Sequence, residues 1–393
     1  MIKNIKLKKF LQNKLFPLFS FINKILPHKD NYILLYSNMG FRDNILALYN
    51  YLIKSEYNKK YKIICSSNDY KQIDSTQKNV IFTSNIKGIF YYLRCKHVYY
   101  CFGKLPIIPH KRQIVIQMWH GTPFKAADKS MQISHDKLYY THIFSASKHF
   151  IPIVSSIFSF PKEKILICGH PRTDILLNSH NIHYDFGYYH KLIVWTPTFR
   201  KSSVLGYEDS HSTSIIPIFK REDFNEIEKF LKEKRVKLVI KLHPVQDLSK
   251  YSFTNMEYLI LLSHQEFTKR KMELYTLLKQ SDALITDYSS VFYDYLLLNR
   301  PIAFTEDDLN EYSNNRGYVM PNPEDYKPGY KIKSKEDFFK FIDDITNDID
   351  TFQLERTRVN KLANDYTDGN NCKRALTLSN ITLTKIYLLA ELI

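Results

Sequence analysis

Short apolar runs, each followed by a polar turn and then by a stretch with helical spacing, recur along almost the whole chain. Tyr32–Ser37 is the first such run, followed by a helical stretch at Asn44–Lys54. Lys62–Cys65, Val80–Thr83, His97–Phe102 and Gln113–Met118 continue the first set. A second set comprises Ile165–Cys168, Leu192–Trp195, Val236–Leu242, Tyr258–Leu261, Ala283–Thr286 and Ile302–Phe304. Helical stretches at Glu222–Lys234 and Glu273–Gln280 fall between its members, and Ser334–Asp344 and Gln353–Asp365 close the chain. Strands alternating with helices predict parallel sheets with crossover helices. Two successive sets predict an α/β protein of two facing Rossmann-like domains. The polar stretch Asn178–Lys191 marks the boundary, giving domains at 31–185 and 186–393 after an initial segment at 1–30.

At 393 residues the chain is long enough for two ordinary domains. Its net charge of +16 favours an anionic partner: nucleic acid, a membrane surface or a phosphorylated substrate. Five cysteines, an odd number with no C-x-x-C pair, imply neither a disulfide framework nor a zinc site. A reducing cytosol fits that usage. No apolar run reaches the ~18 residues of a membrane span. Lysines interrupt Met1–Ser20 and leave no clean signal-peptide core.

Met1–Lys29 carries seven lysines and no acid, interleaved with isoleucine, leucine and phenylalanine. A basic amphipathic segment of this kind lies in a membrane interface, with Pro17 breaking or kinking it. The plainer alternative is a terminal helix packed on its domain with a solvated basic face.

The polar turns after the strands hold the residues suited to chemistry. Thr286–Ser290, TDYSS, separates the strand Ala283–Thr286 from the apolar helical stretch Val291–Leu298. Strand, polar turn and helix set N–H groups and hydroxyls at a helix N-terminus, where phosphate binds. Asp287, Ser289 and Ser290 are the candidates there; a capped helix without a ligand is the alternative. In QMWHGTPFK, His120 stands just past a strand and Gly121 permits a tight turn. Histidine is the side chain best matched to taking a proton near neutral pH. Thr122 and Lys125 follow it. In GHPRTD, Arg172 is suited to a phosphate or, structurally, to pairing with Asp174. Thr198 and Arg200 in TPTFR, and His243 in KLHP, also follow strands. Asp348-Ile349-Asp350 spells the D-x-D of metal-dependent sugar transferases, but late in the chain and in a polar turn.

Taken together, these stretches resemble the CDP-glycerol glycerophosphotransferase family of teichoic acid and capsule synthesis. Phe41-Arg42-Asp43-Asn44, QMWHGTPFK, GHPRTD, TPTFR, KLHP, TDYSSVFYDYLLLNRPI, Asn315-Arg316-Gly317-Tyr318 and Asp368-Gly369 before Lys373-Arg374 carry the resemblance. It runs from about Tyr32 to the last helix. The resemblance implies a GT-B-like fold and a CDP-glycerol donor held mainly by the C-terminal domain. It implies transfer of glycerol phosphate to a hydroxyl of a lipid-linked acceptor, with release of CMP, at the cytoplasmic membrane face. Within that resemblance, the chain's length implies a priming or short-chain enzyme as the expectation.

His120 matches the family's catalytic histidine and is expected to take the acceptor proton. His243, Arg172 and Arg200 are expected to stabilise charge on the transferred phosphate, Ser289 and Ser290 to hold the pyrophosphate, and Arg316 to reach the nucleotide. Gly121, Thr122, Lys125, Thr198 and Asp287 complete the expected substrate-binding set. No cofactor is required on this reading and a metal need not be essential. The partners are CDP-glycerol or another CDP-polyol, a lipid-linked saccharide and an anionic membrane surface, not nucleic acid. A CDP-ribitol-dependent enzyme and a nucleotide-sugar glycosyltransferase of the same fold remain alternatives.

Overall fold

The structure, a computed structural model, describes residues 15–73, 76–126, 138–179, 182–198, 201–202, 207–208, 216–242, 256–309, 312–313 and 317–383. It divides into two compact units. The first comprises Met1–Gly121, Asp128–Asp174 and Asp368–Ile393; the second comprises Thr122–Ala127 and Ile175–Thr367. The change of unit thus falls at Ile175, ahead of the expected 186, and the C-terminal residues return to the first unit.

The first unit is built on seven parallel strands: β1 (Lys29–Tyr36), β2 (Lys62–Ser66), β3 (Val80–Thr83), β4 (Cys95–Tyr100), β5 (Ile114–Gln117), β6 (His142–Ser145) and β7 (Ile165–Ile167). Their spatial order is β3-β2-β1-β4-β5-β6-β7. The order grows one way from β1 to β3 and the other way from β4 to β7. The reversal falls between β1 and β4, and open parallel sheets hold ligands beyond the carboxyl ends of the strands at such a point. The central strands are buried on both faces, which is why they read as continuous apolar runs. On one face Ile33, Leu35, Ile63 and Cys65 meet Ile45, Leu48 and Leu52 of the helix Asn44–Lys54.

The helix Asn371–Leu378 completes that face with Cys372, Ala375 and Leu376. Its first turn is capped from afar: the Asp174 carboxylate accepts from the N–H of Asn371 (2.8 Å) and of Cys372 (2.7 Å). Asn371 Nδ2 donates to Thr173 Oγ1 at 3.0 Å. Gly169 is required opposite, because a Cβ there would stand 2.3 Å from Asn371 Oδ1. GHPRTD and the late helix are therefore two halves of one clasp.

The helix Phe16–Ile25 lies on the same unit through polar groups. Asn23, buried, donates from Nδ2 to Ile108 O (3.0 Å) and Gln113 Oε1 (2.7 Å), and Ser20 Oγ accepts from Ile108 N–H (3.0 Å). Leu18, Phe21 and Ile25 are left 52%, 63% and 68% exposed. Their spacing puts them on one side of the helix. Among the described residues no helix is long and apolar enough to cross a membrane.

The second unit has six parallel strands in the order β12-β11-β8-β13-β14-β15, and a small antiparallel pair, β9 (Lys201–Ser202) with β10 (Tyr207–Glu208). The six are β8 (Lys191–Trp195), β11 (Val236–Lys241), β12 (Leu259–Leu262), β13 (Ala283–Thr286), β14 (Ile302–Thr305) and β15 (Tyr330–Ile332). Here the reversal lies between β8 and β13. Trp195 is fully buried among Phe219 and Phe338, the latter from the helix Lys335–Thr346.

Three details differ from the sequence reading. β6 and β15 are additional strands, four and three residues long. β7 is the edge of the first sheet rather than the head of the second set. The helix after TDYSS is α-helical only over Val291–Tyr295, tightens to 3-10 at Leu296–Leu298, and ends where Asn299 turns left-handed (φ 49°).

Candidate active site

Each unit gathers motif residues at its own strand reversal. In the first, Asp43 follows β1, Phe102 follows β4 and His120 follows β5. The chain leaves β5 through Trp119, whose φ of +57° is rare for a bulky side chain, and Gly121 follows at φ +134°. The His120 ring is held between aromatics: its centroid lies 4.1 Å from that of Trp119 and 5.2 Å from that of Phe102. The Arg42 guanidinium lies over the Phe102 ring at 5.6 Å, and Trp119 meets Phe158 edge-on at 4.9 Å.

Burial pushes the His120 imidazole down to about 4 from its ordinary 6.5. The nearby Asp43 carboxylate opposes that shift; the Arg172 guanidinium and then His170 add to it. His120 is therefore neutral at physiological pH, the state in which it can accept a proton.

The backbone on both sides of His120 is tied down. Asn44 Nδ2 donates to the Trp119 carbonyl (2.9 Å) and Cys101 Sγ approaches the same oxygen (3.3 Å). Arg172 donates from NH1 to the His120 carbonyl (2.9 Å) and to Asp43 Oδ2 (2.6 Å). Its N–H donates to Asn44 Oδ1 (3.1 Å). Arg172 is 5% exposed. Its guanidinium therefore braces the turn that carries His120. Its ion-pair partner is Asp43 and not Asp174, whose carboxylate caps Asn371–Leu378.

In the second unit, Thr198 follows β8 and Asp287 follows β13, the two strands flanking the reversal. Asp287 is 1% exposed. Its Oδ2 accepts from Thr198 N–H and Thr198 Oγ1, both at 2.8 Å, and its Oδ1 from Tyr288 N–H at 2.6 Å. These bonds make Asp287 a tie between two strand ends. Ser289 and Ser290 stand beyond it, half-buried, and the Ser290 side chain makes no capping bond. Tyr288 stacks on Tyr312 at 3.7 Å and donates to Asp308 Oδ1 at 2.7 Å, fixing the floor of the turn.

The QMWHGTPFK motif is shared between units: Gly121 ends a segment of the first and Thr122 begins a segment of the second. Thr122 is buried. Lys125 forms a bridge with Tyr318, flanked by Ala126 N–H to Gly317 O (3.0 Å) and Val319 N–H to Phe124 O (3.1 Å). Lys125 Nζ lies over the Tyr312 ring at 5.8 Å. Arg200, His243 and Arg316 lie outside the described residues.

The D-x-D carboxylates have structural partners. Asp348 pairs with Lys191 at 2.6 Å, and Asp350 accepts from the wholly buried Arg356. The residues that sequence reasoning left unassigned are Phe102, which stacks on His120, and Asp43 and Asn44, which appeared only within a motif. Their contacts are with segments remote in sequence, which spacing does not reveal.

Comparison with known proteins agrees with these motifs. The profile of the CDP-Glycerol:Poly(glycerophosphate) glycerophosphotransferase family matches residues 18–378. A teichoic acid glycerol-phosphate transferase of Staphylococcus aureus is 27% identical over 395 residues, 88% of this chain and 92% of that protein. A teichoic acid ribitol-phosphate primase of Bacillus spizizenii is 25% identical over 306 residues, 71% of this chain and 73% of that one. The matches to two Staphylococcus aureus ribitol-phosphate polymerases span 46% and 54% of those longer proteins. The solved structure of the wall teichoic acid polymerase TagF superposes with a TM-score of 0.70 at 22% identity, covering 96% of this chain and 95% of that one. It shares the α/β fold with two Rossmann-like units. The chain is a transferase belonging to the CDP-glycerol:poly(glycerophosphate) glycerophosphotransferase family.

Proposed function

We propose that this protein transfers glycerol phosphate from CDP-glycerol to a hydroxyl of a lipid-linked acceptor and releases CMP, as a priming or short-chain enzyme. The observation that carries the reading is His120: a neutral imidazole just past a strand's carboxyl end, stacked on Phe102 and packed against Trp119. It takes the proton of the acceptor hydroxyl as that oxygen bonds to the phosphorus bearing the glycerol. The bond from that phosphorus to the CMP oxygen breaks, and CMP leaves with the electron pair. Positioning and electrostatic stabilisation carry most of such a transfer.

Ser289 and Ser290 hold the pyrophosphate on this reading, on a turn kept in shape by Asp287, Thr198 and Tyr288. Lys125 lies over Tyr312 of that turn's aromatic floor, and Thr122 precedes it on the same segment. His243 and Arg200 stabilise the transferred phosphate, and Arg316 contacts the nucleotide. Arg172, paired with Asp43, supports the turn of His120 on this reading. Ribitol-phosphate enzymes stand among the relatives, so CDP-ribitol is the alternative donor.

The protein works at the inner face of the cell membrane as a peripheral enzyme. The helix Phe16–Ile25 supports this, since it turns Leu18, Phe21 and Ile25 outward beside Lys24. The helix Asn85–Tyr92 of the same unit presents Ile86 (74% exposed) and Phe90 (61%) one turn apart, with Lys87 beside them. The deciding experiment incubates the protein with CDP-glycerol or CDP-ribitol and lipid-linked saccharides and follows CMP. Release with CDP-glycerol that depends on acceptor supports the proposal. Turnover of CDP-ribitol alone replaces the donor, and turnover of nucleotide sugars alone overturns the reading.

A further inference from the structure

We propose that Asp43, Asn44 and Arg172 form a bracket that positions His120, so that they control turnover without touching substrate. The inference rests on His120 acting as the base. Three chain segments converge on one turn. Asn44 holds the carbonyl before His120, at Trp119, and Arg172 holds the carbonyl of His120 itself. Asn44 and Arg172 are joined to one another, and Arg172 to Asp43. The two peptide planes that set the direction of the imidazole are therefore both fixed by buried side chains.

Burying an asparagine and an arginine is costly unless their bonds are made well. An arginine facing a carboxylate is suited to a parallel two-nitrogen fork. Here NH1 instead divides between Asp43 Oδ2 and the His120 carbonyl. The backbone it supports needs support: Trp119 has φ +57°, and Asp43 has φ +64° with ψ −143°, a region natural to glycine. Strain of this kind persists only where the surroundings over-determine it. Asp43 is held there by its own carboxylate, whose Oδ1 accepts from Asn44 N–H at 2.7 Å while Oδ2 takes Arg172. The bracket also balances charge around the imidazole: Asp43 favours its protonated form and Arg172 disfavours it.

The test measures CMP release by the full chain with CDP-glycerol and a lipid-linked disaccharide, as kcat, donor KM and pH profile. Arg172→Lys keeps the charge but not the divided contact, and Asn44→Asp keeps the acceptor but loses the donor to Trp119. Each is expected to lower kcat about tenfold to a hundredfold, with donor KM within about twofold of wild type if only positioning is lost. Removing charge should move the acid limb in opposite directions: to lower pH in Asp43→Asn and to higher pH in Arg172→Met. Wild-type kcat in both Arg172→Lys and Asn44→Asp would overturn the bracket, as would limbs unmoved in both charge variants. Arg172→Lys keeps the question open to refutation if Arg172→Met does not fold. His120→Ala separates the underlying reading: retained turnover there removes the base, whereas lost turnover with an unaffected Arg172→Lys removes only the bracket.

Discussion

Asp287 and Thr198 are joined twice through one carboxylate oxygen, which accepts both the backbone N–H and the hydroxyl of Thr198 at 2.8 Å. The carboxylate therefore links the ends of β8 and β13, the strands flanking the reversal of the second sheet. Asp287→Ala strands the N–H groups of Thr198 and Tyr288. It is expected to cost about 3 kcal/mol of stability, read from urea unfolding.

Ser289 and Ser290 should behave differently. Replacing both with alanine removes only a long bond from Val291 N–H to Ser289 Oγ (3.5 Å), so the unfolding midpoint should stay near wild type. Donor affinity should fall, because each hydrogen bond to a charged phosphate contributes roughly 1.5–3 kcal/mol. Calorimetric titration with CDP-glycerol checks this; wild-type affinity in the folded double variant would remove the serines from the donor site.

The pH profile follows from His120. Its proton affinity is lowered to about 4, so the neutral base persists well below the usual histidine range. Turnover should stay level as pH falls through 6.5 and drop only as it approaches about 4, with the limb absent in His120→Ala. The same shift affects folding. The unfolded state binds the proton from about 6.5 downward while the native state resists until about 4, so this group's contribution to stability is lost across that window as pH falls. A limb centred near 6.5 would place the proton on another group or mean that substrate binding raises the affinity of His120.

Membrane attachment and folding should separate within the helix Phe16–Ile25. Phe21→Ser with Ile25→Ser alters exposed side chains and should change stability by no more than about 0.5 kcal/mol each. Sedimentation with anionic vesicles should nevertheless decline. Asn23→Ala should do the reverse, losing about 1–3 kcal/mol through its buried bonds to Ile108 and Gln113 while keeping the apolar face. Unchanged sedimentation of the serine variant would reject this helix as the anchor.

The two D-x-D aspartates give a contrast with a clear sign. Asp350→Ala leaves the buried Arg356 without its carboxylate and should cost about 3 kcal/mol or more, whereas the exposed Asp348–Lys191 pair is worth at most about 1. Thermal unfolding of the two variants measures the difference.

Much of this architecture is visible in the amino-acid order, because strands buried on both faces leave continuous apolar runs. His120, Thr198 and Asp287 could be placed at strand ends by that pattern alone. Short strands such as Tyr330–Ile332 carry too little pattern to stand out. Arg172 shows the deeper limit. Its sequence neighbour Asp174 was the obvious counter-ion, yet its partner Asp43 lies 129 positions away. Asp174 was itself engaged by a helix nearly two hundred residues downstream. Burial and through-space pairing decide which charged residues support and which are left facing a ligand, and neither is written in local spacing.

The return of Asn371–Leu378 to the first unit has a consequence for how the protein is made. Cys372, Ala375, Leu376 and Ile381 belong to the same apolar core as Ile33 and Leu35 of β1. During synthesis the first unit therefore waits, with part of one sheet face uncovered, while the whole second unit is being translated. Domains often fold in turn as they emerge from the ribosome. Here the part that emerges first is the last to be finished.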